Sequence, residues 1–361
     1  VNYHDDIFVA TSGNYGLWFD KSEIPVVGIK ASGVKAIKLK DDVVVSSFNF
    51  NPDNQELFLL VTDKGKKILK RCDMKFEDVQ FIDEALNYIY LLDKDVIRYC
   101  RNKDNEVITT WNEKNYILLD MIEGREAAFT NPVEISWCTK AIEKLHISSK
   151  GMEKYLKELN IKCKYGSNII NDYIDDLKNI EQMKLLVKKY KYKNEFDSLF
   201  LKNVEVMEKQ MNKAIELLMK TSYEKMKKDN RYFYLCHNDL AHHNFIIDND
   251  NVNIIDFDYC NIDLRIKDIY IFINKVIKNL VYEKEAIDSI LEAYEKPNDK
   301  IDSQEREILN ALICYPYDFV EIIKLYYYKQ KSWEQEVFIG RLKNKIELDD
   351  FRIALVKRIL K

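Results

Sequence analysis

The densest group of reactive side chains runs Cys236-His237-Asn238-Asp239-Leu240-Ala241-His242-His243-Asn244, and Asp256-Phe257-Asp258 begins twelve residues after Asn244. Three of the five histidines of the chain fall in this stretch. A carboxylate at 239, a carboxamide at 244 and a second carboxylate at 256 are hard oxygen donors suited to Mg²⁺. The first of them also has the chemistry of a base for a hydroxyl nucleophile. Phosphoryl transfer uses such a set, with a metal to neutralise developing charge, a carboxylate to orient the attacking hydroxyl and a distant lysine for the phosphates that stay behind. Asp258 keeps two readings, a second metal contact or a solvated loop end. A metal phosphohydrolase built on His237, Asp239, His242 and His243 is the competing chemistry, although His242 and His243 have the ordinary character of loop or core residues.

These residues need elements to hold them. Residues 232–235, 244–247 and 252–257 read as short strands around the polar loop, an island in otherwise helical text. Helical spacing is expected over 133–148, 166–191, 195–228, 262–280, 284–294, 303–315 and from 333 to the end, with Asp302 and Glu305 marking a helix start. Upstream the pattern differs. β-Branched and aromatic runs at 7–11, 16–19, 43–45, 57–61 and 67–70 predict strands, and Thr62-Asp63-Lys64-Gly65 predicts a hairpin turn. A helix over 76–92 and strands near 96–99 and 116–121 follow. The glycines agree with this division: Gly13, Gly16, Gly28, Gly33 and Gly65 account for five of nine.

The composition of the 361 residues bounds the partners. With 56 Lys+Arg against 60 Asp+Glu, the net charge of −4 lacks the basic excess of a protein devoted to bulk nucleic acid. Seven scattered cysteines without a CxxC pair suggest neither a disulfide framework nor a zinc site, so a reducing, cytoplasmic compartment is expected. No charged-then-apolar leader and no run of 18 apolar residues is read, so neither a signal peptide nor a membrane partner is expected.

His237-x-Asp239-x-x-x-x-Asn244 with Ile255-Asp256-Phe257-Asp258 resembles the catalytic loop and metal aspartate of the aminoglycoside phosphotransferase and choline kinase group. With Tyr259 and Asp263-Leu264-Arg265-Ile266-Lys267-Asp268-Ile269, it more closely resembles the spore coat protein S (CotS) family, from about Thr62 onward. The resemblance implies an α+β, two-lobed protein-kinase-like fold, with a small β-rich N-lobe and a large, mainly helical C-lobe. It implies ATP and Mg²⁺ as cofactors, Asp239 as the base, His237 as a loop-positioning residue, Asn244 and Asp256 as metal ligands, and Asp268 as a brace for the loop. Lys70 at the end of the hairpin would meet the phosphates and Glu84 would pair with it, Glu77 being the competing choice. The backbone of Asp120 and Ile122 would meet adenine at the hinge. The partners implied are a nucleotide, a small-molecule or coat-protein acceptor and other spore coat proteins, with deposition in the coat. A catalytically silent coat scaffold of the same fold is the alternative.

The first 60 residues carry a second resemblance. Asp6–Thr11, Gly16-Leu17-Trp18-Phe19-Asp20-Lys21-Ser22-Glu23-Ile24 and Gly33-Val34-Lys35-Ala36-Ile37-Lys38-Leu39-Lys40-Asp41-Asp42 are similar to one blade of the C-terminal β-pinwheel of DNA gyrase A and topoisomerase IV subunits. The expected division is therefore a blade-like segment over 1–60, a partial N-lobe with the hinge over 61–124, and a helical C-lobe over 125–361. A DNA-associated module is the further alternative, but one blade cannot close a DNA-wrapping disc, so nucleic acid is not the expected partner.

Overall fold

The computed structural model describes residues 6–11, 16–20, 38, 43–50, 57–62, 65–280, 283–297 and 299–360. The chain forms two compact units, Val1–Glu123 and Gly124–Lys361. Helices dominate the second unit and sheets the first, as the two-lobed α+β expectation requires.

In the first unit β1 (Asp6–Thr11), β2 (Gly16–Asp20) and β3 (Val44–Phe50) make an antiparallel sheet in the order β2-β1-β3. A second sheet starts with the hairpin of β4 (Leu57–Thr62) and β5 (Gly65–Arg71), paired from Leu57 opposite Lys70 to Thr62 opposite Gly65. The expected turn residues Asp63 and Lys64 lie outside the described residues. After α1 (Phe76–Tyr90) come β6 (Tyr99–Cys100), β7 (Ile108–Trp111) and β8 (Lys114–Asp120). The order is β4-β5-β8-β6, with β7 also on β8. Phe58 and Tyr116 are buried together, with Leu60 and Leu69 against them. Helix α1 buries Val79, Phe81, Ile82, Ala85, Leu86 and Ile89, the three-and-four spacing of a one-sided helix.

The second unit opens with β9 (Arg125–Glu126), α2 (Pro132–Ser148) and α3 (Met152–Glu158), then the long pair α4 (Ile169–Lys188) and α5 (Glu195–Lys220), and the short α6 (Tyr223–Met226). The strands β10 (Phe233–Cys236), β11 (Phe245–Asp248), β12 (Asn251–Ile254) and β13 (Asn261–Leu264) follow. They form two small sheets, β10-β13 and β12-β11-β9. Helices α7 (Arg265–Ile277), α8 (Lys284–Tyr294), α9 (Ser303–Cys314), α10 (Tyr317–Tyr327) and α11 (Gln335–Ile359) complete the unit. Asp302 and Glu305 close a reciprocal capping box at α9, as their spacing predicts. Tyr173 of α4 stacks on Tyr315 at 3.5 Å, joining α4 to the end of α9.

Several boundaries differ from the sequence expectation. Residues 261–264 are a strand, where a helix over 262–280 was expected. Their alternation places Ile262 and Leu264 opposite Leu235 and Phe233 of β10, and that pairing overrides the helical text that follows. The expected helix over 195–228 divides at Thr221 and Ser222. Strand β7 and helices α3 and α10 were not anticipated; β7 and α3 are short, and α10 is set off from α9 only by Tyr315 and Pro316.

Candidate functional site

Strand β10 ends at Cys236, and the chain then turns through Asn238, whose φ of 66° is left-handed. That turn is held from below by Asp268, in the first turn of α7 and completely buried. Its Oδ2 accepts the His237 amide at 2.6 Å and its Oδ1 the Asn238 amide at 2.8 Å. His146 of α2 adds a contact to Oδ2 at 3.2 Å through Nε2, while its Nδ1 lies 2.7 Å from the Tyr294 hydroxyl. Burial alone would raise the Asp268 pKa, but the His146 hydrogen bond, the nearby imidazoles and the Asn238 amide hold it below the ordinary aspartate value. His146, Cys236 and Asp268 also satisfy the spacing of a metal cluster. The hydrogen bonds commit both Asp268 oxygens and both His146 nitrogens, so the group acts as a brace.

His237 is wholly buried, and its tautomer follows from its partners. Nε2 faces the Ile255 carbonyl at 2.9 Å and so carries the proton, while Nδ1 accepts the Asp239 amide at 3.2 Å. Both nitrogens are spent on positioning the loop, which argues against a phosphohydrolase that needs them for a metal. His242 is exposed, with Nδ1 3.3 Å from the Glu126 carboxylate.

Asn244 is buried and folds back on the loop. Its Nδ2 donates to the Asp239 carbonyl at 2.7 Å and to the Asp239 carboxylate at 3.2 Å. The same residue accepts the Ile255 amide on its own carbonyl at 3.0 Å, which closes the β11–β12 hairpin one residue beyond the Phe245–Ile254 pair. Asp256, next along with a left-handed φ of 66°, therefore leaves the hairpin at the end where Asn244 enters it. Sequence positions 239, 244 and 256 are brought together by this hairpin. With Nδ2 turned to Asp239, a cation at Asn244 would meet its Oδ1, and an amide oxygen with a carboxylate suits a hard divalent ion. Asp239 is half-buried beside a cavity of about 670 Å³. Lys275 of α7 approaches its Oδ1 to 3.9 Å.

The remaining sequence candidates lie in the first unit. Lys70 is half-buried on β5 opposite Leu57 and Ile117. Glu84 is half-buried on α1, 4.0 Å from the Arg101 guanidinium. Its neighbour Asp83 is buried and meets the same guanidinium at 2.5 Å. Burial pushes the Asp83 carboxyl up to about 6, with Arg101 opposing. Sequence reasoning missed Asp83 and Arg101. The two are brought together only by the fold, and Arg101 has no motif around it. The Asp120 carboxylate pairs with Lys67, whose ammonium lies 3.5 Å from the Cys100 sulfur. Glu123, next to the half-buried Ile122, holds Lys66 at 2.7 Å. The side chain of Asp120 is thus occupied within the sheet.

A family model described as "Spore coat putative kinase YutH" matches residues 36–357, and one for the β-propeller C-terminal domain of DNA gyrase matches residues 5–50. Spore coat protein S of Bacillus subtilis (strain 168) is 22% identical over 312 residues, covering 86% of this chain and 88% of that protein. The topoisomerase 4 A subunits that also match do so over short segments, and the chain spans only 8 to 11% of their length. Among solved structures, an aminoglycoside phosphotransferase from Alicyclobacillus acidocaldarius matches with a TM-score of 0.73 at 14% identity, over 85% of this chain and 90% of that one. A spectinomycin phosphotransferase in complex with ADP and spectinomycin matches with a TM-score of 0.57 at 16% identity, over 84% and 90%. The fold is that of the aminoglycoside phosphotransferases. Among the described residues no helix is long and apolar enough to cross a membrane.

Proposed function

This chain belongs to the YutH family of spore coat kinase-like proteins, and from that premise we propose that it transfers a phosphoryl group from ATP to a hydroxyl acceptor. The observation that carries this reading is the loop itself: Asp239 clasped by Asn244, braced through two amides by Asp268 and set beside a cavity large enough for a small molecule. Mg²⁺ bound by Asn244 and Asp256 would neutralise charge on the phosphates. Asp239 accepts the hydrogen bond of the acceptor hydroxyl and takes its proton as the phosphoryl group arrives. The neutral His237 tautomer and Asp268 keep that carboxylate in place and touch no reacting atom. Lys70 serves the phosphates that are not transferred, although Glu84, its expected partner, meets Arg101 and not Lys70 in this structure, and the backbone of Asp120 and Ile122 serves adenine.

The assignment extends to the organisation of the chain. Residues 1–60 form the blade-like segment, 61–124 the partial N-lobe and 125–361 the C-lobe, and the mature protein is deposited in the spore coat beside other coat proteins. The resemblance to spore coat protein S supports that location. Thermal-shift titration with Mg-ATP tests the nucleotide step, and transfer of labelled phosphate into metabolite and coat-protein pools tests the chemistry. Wild type is expected to be stabilised by millimolar Mg-ATP and to transfer label, and Asp239→Asn to lower transfer at least a hundredfold while still binding nucleotide. If neither protein is stabilised by Mg-ATP, the chain is a silent scaffold of this fold.

A further inference from the structure

The cavity beside Asp239 is lined entirely by the second unit, and its lining is more acidic than basic. Helix α7 supplies Lys267, Lys275 and Lys278, while α4, α10 and the loop supply five carboxylates. Several of these charges cancel locally: Lys267 with Asp263 at 3.1 Å, Lys278 with Asp318 at 2.6 Å, and the lining Asp176 with Lys324 at 2.6 Å. The charges left over are separated. At the base, Lys275 approaches Asp239 only to 3.9 Å. On α4 and α10, Asp172 and Glu321 are exposed and pair with no cation among the described residues; Asp172 accepts the Ser167 hydroxyl, and Glu321 makes no hydrogen bond. The hydroxyl of Tyr317, at the start of α10, registers the same field: burial pushes its pKa up to about 12, and Glu321, Asp318, Asp176 and Asp239 all push in that direction.

A second, independent observation is Asn274, which lines this cavity from α7 one residue before Lys275 and is only 9% exposed. Its carboxamide has no hydrogen-bond partner among the described residues. Unlike the sealed oxygens of Asn238 and Asn261, its polar atoms keep accessible surface and can meet a ligand. A buried carboxamide with both donor and acceptor unmatched is complemented by a peptide backbone, where an extended residue presents its N–H and C=O on one edge.

Resting on the kinase reading above, we infer that the acceptor is a seryl or threonyl residue within a basic peptide segment. Its hydroxyl meets Asp239, its backbone pairs with Asn274, and a flanking lysine or arginine side chain is held by Asp172 and Glu321. Lys275 repels that cation from the base, leaving Asp239 to the hydroxyl proton. A cavity of about 670 Å³ accommodates a ligand of tripeptide size, whereas a two-carbon amino alcohol would leave most of it empty and Asn274 unpaired.

Calorimetric titration of the full chain without nucleotide tests this with four probes: acetyl-Lys-Ser-Lys-amide, acetyl-Gln-Ser-Gln-amide, acetyl-Glu-Ser-Glu-amide and ethanolamine. The basic peptide is expected to bind about tenfold or more tightly than the neutral peptide and ethanolamine, and the acidic peptide not at all. Glu321→Gln is expected to weaken the basic peptide about fivefold and to leave the neutral peptide unchanged, a selectivity that a general attraction to an acidic chain does not produce. Asn274→Leu is expected to weaken the basic and neutral peptides alike, about fivefold, and to leave ethanolamine unchanged, with the melting temperature kept because no hydrogen bond is lost. If Asn274→Leu melts early, Glu321→Gln, at an exposed position, decides alone. Ethanolamine binding as tightly as the basic peptide, equal affinity for the basic and acidic peptides, a basic-peptide affinity unchanged in Glu321→Gln or in a stably folded Asn274→Leu, or no binding of any peptide overturns the inference. The kinase reading stands or falls separately, on Mg-ATP stabilisation and label transfer.

Discussion

At the scale of single residues, the second unit places carboxylates in two contrasting ways. Asp239 is kept half-open to a cavity, whereas Glu134 of α2 is sealed into four hydrogen bonds. Arg125 meets it twice, at 3.0 and 2.9 Å, the Ala128 amide at 2.8 Å and the Asn131 side chain at 2.8 Å. The Arg125 bonds dominate in lowering its pKa to about 2, against the opposing effect of burial and with help from Ala128 and Asn131. An acid depressed in the folded state stabilises the fold above its unfolded value near 4.5 and loses that contribution as pH falls toward 2. Glu134→Gln is therefore expected to cost about 2 kcal/mol at pH 7, the range for hydrogen bonds to a charged group. In urea unfolding the gap between variant and wild type should narrow steadily from pH 5 to about pH 2.5. A gap independent of pH would mean that shape, not charge, holds Arg125 to this corner.

At the scale of elements, the hairpin β11–β12 is what turns a sequence motif into a site, and its support lies at Gly124. This residue has φ 143°, and a Cβ there would come within 2.5 Å of the Ile247 carbonyl of β11. Gly124→Ala is expected to destabilise the second unit by about 2 kcal/mol, through both the left-handed backbone and the collision. A thermal melt lowered by several degrees, with a parallel loss of hydrogen-exchange protection in residues 245–248, would check it. The loop was legible in the sequence because Asp239, Asn244 and Asp256 lie within eighteen residues, flanked by apolar runs that must be strands. Strand β13 was not, because Ile262, Leu264, Ile266 and Ile269 satisfy a strand period at their start and a helix period at their end. Nor were Arg101 or Lys275. Lys275 is an ordinary helix lysine in sequence, and only the packing of α7 against the loop puts it near Asp239.

At the scale of the whole molecule, two family matches meet in one small sheet. The gyrase-type match ends at residue 50 and the spore coat match begins at 36, so β3 belongs to both while it pairs with β1, which belongs to the first alone. The blade-like strands are thus hydrogen-bonded into a strand that the coat family also covers. Binding of DNA by such a blade requires a cationic surface, because affinity comes from neutralising phosphates and releasing their counterions. Residues 1–60 hold five lysines, no arginine and eight carboxylates, and the chain as a whole is acidic at −4. Gel-shift titration with duplex DNA at about 50 mM salt, where a basic module binds most strongly, is therefore expected to show no complex, and deleting residues 1–35 should change nothing in that assay. A complex that weakens with salt and disappears on the deletion would instead make DNA association the inherited activity of the blade. The deletion has a structural consequence as well: removing β1 strips β3 of its partner and leaves an open strand edge, so increased self-association in light scattering is expected, with the helical circular dichroism of the second unit preserved.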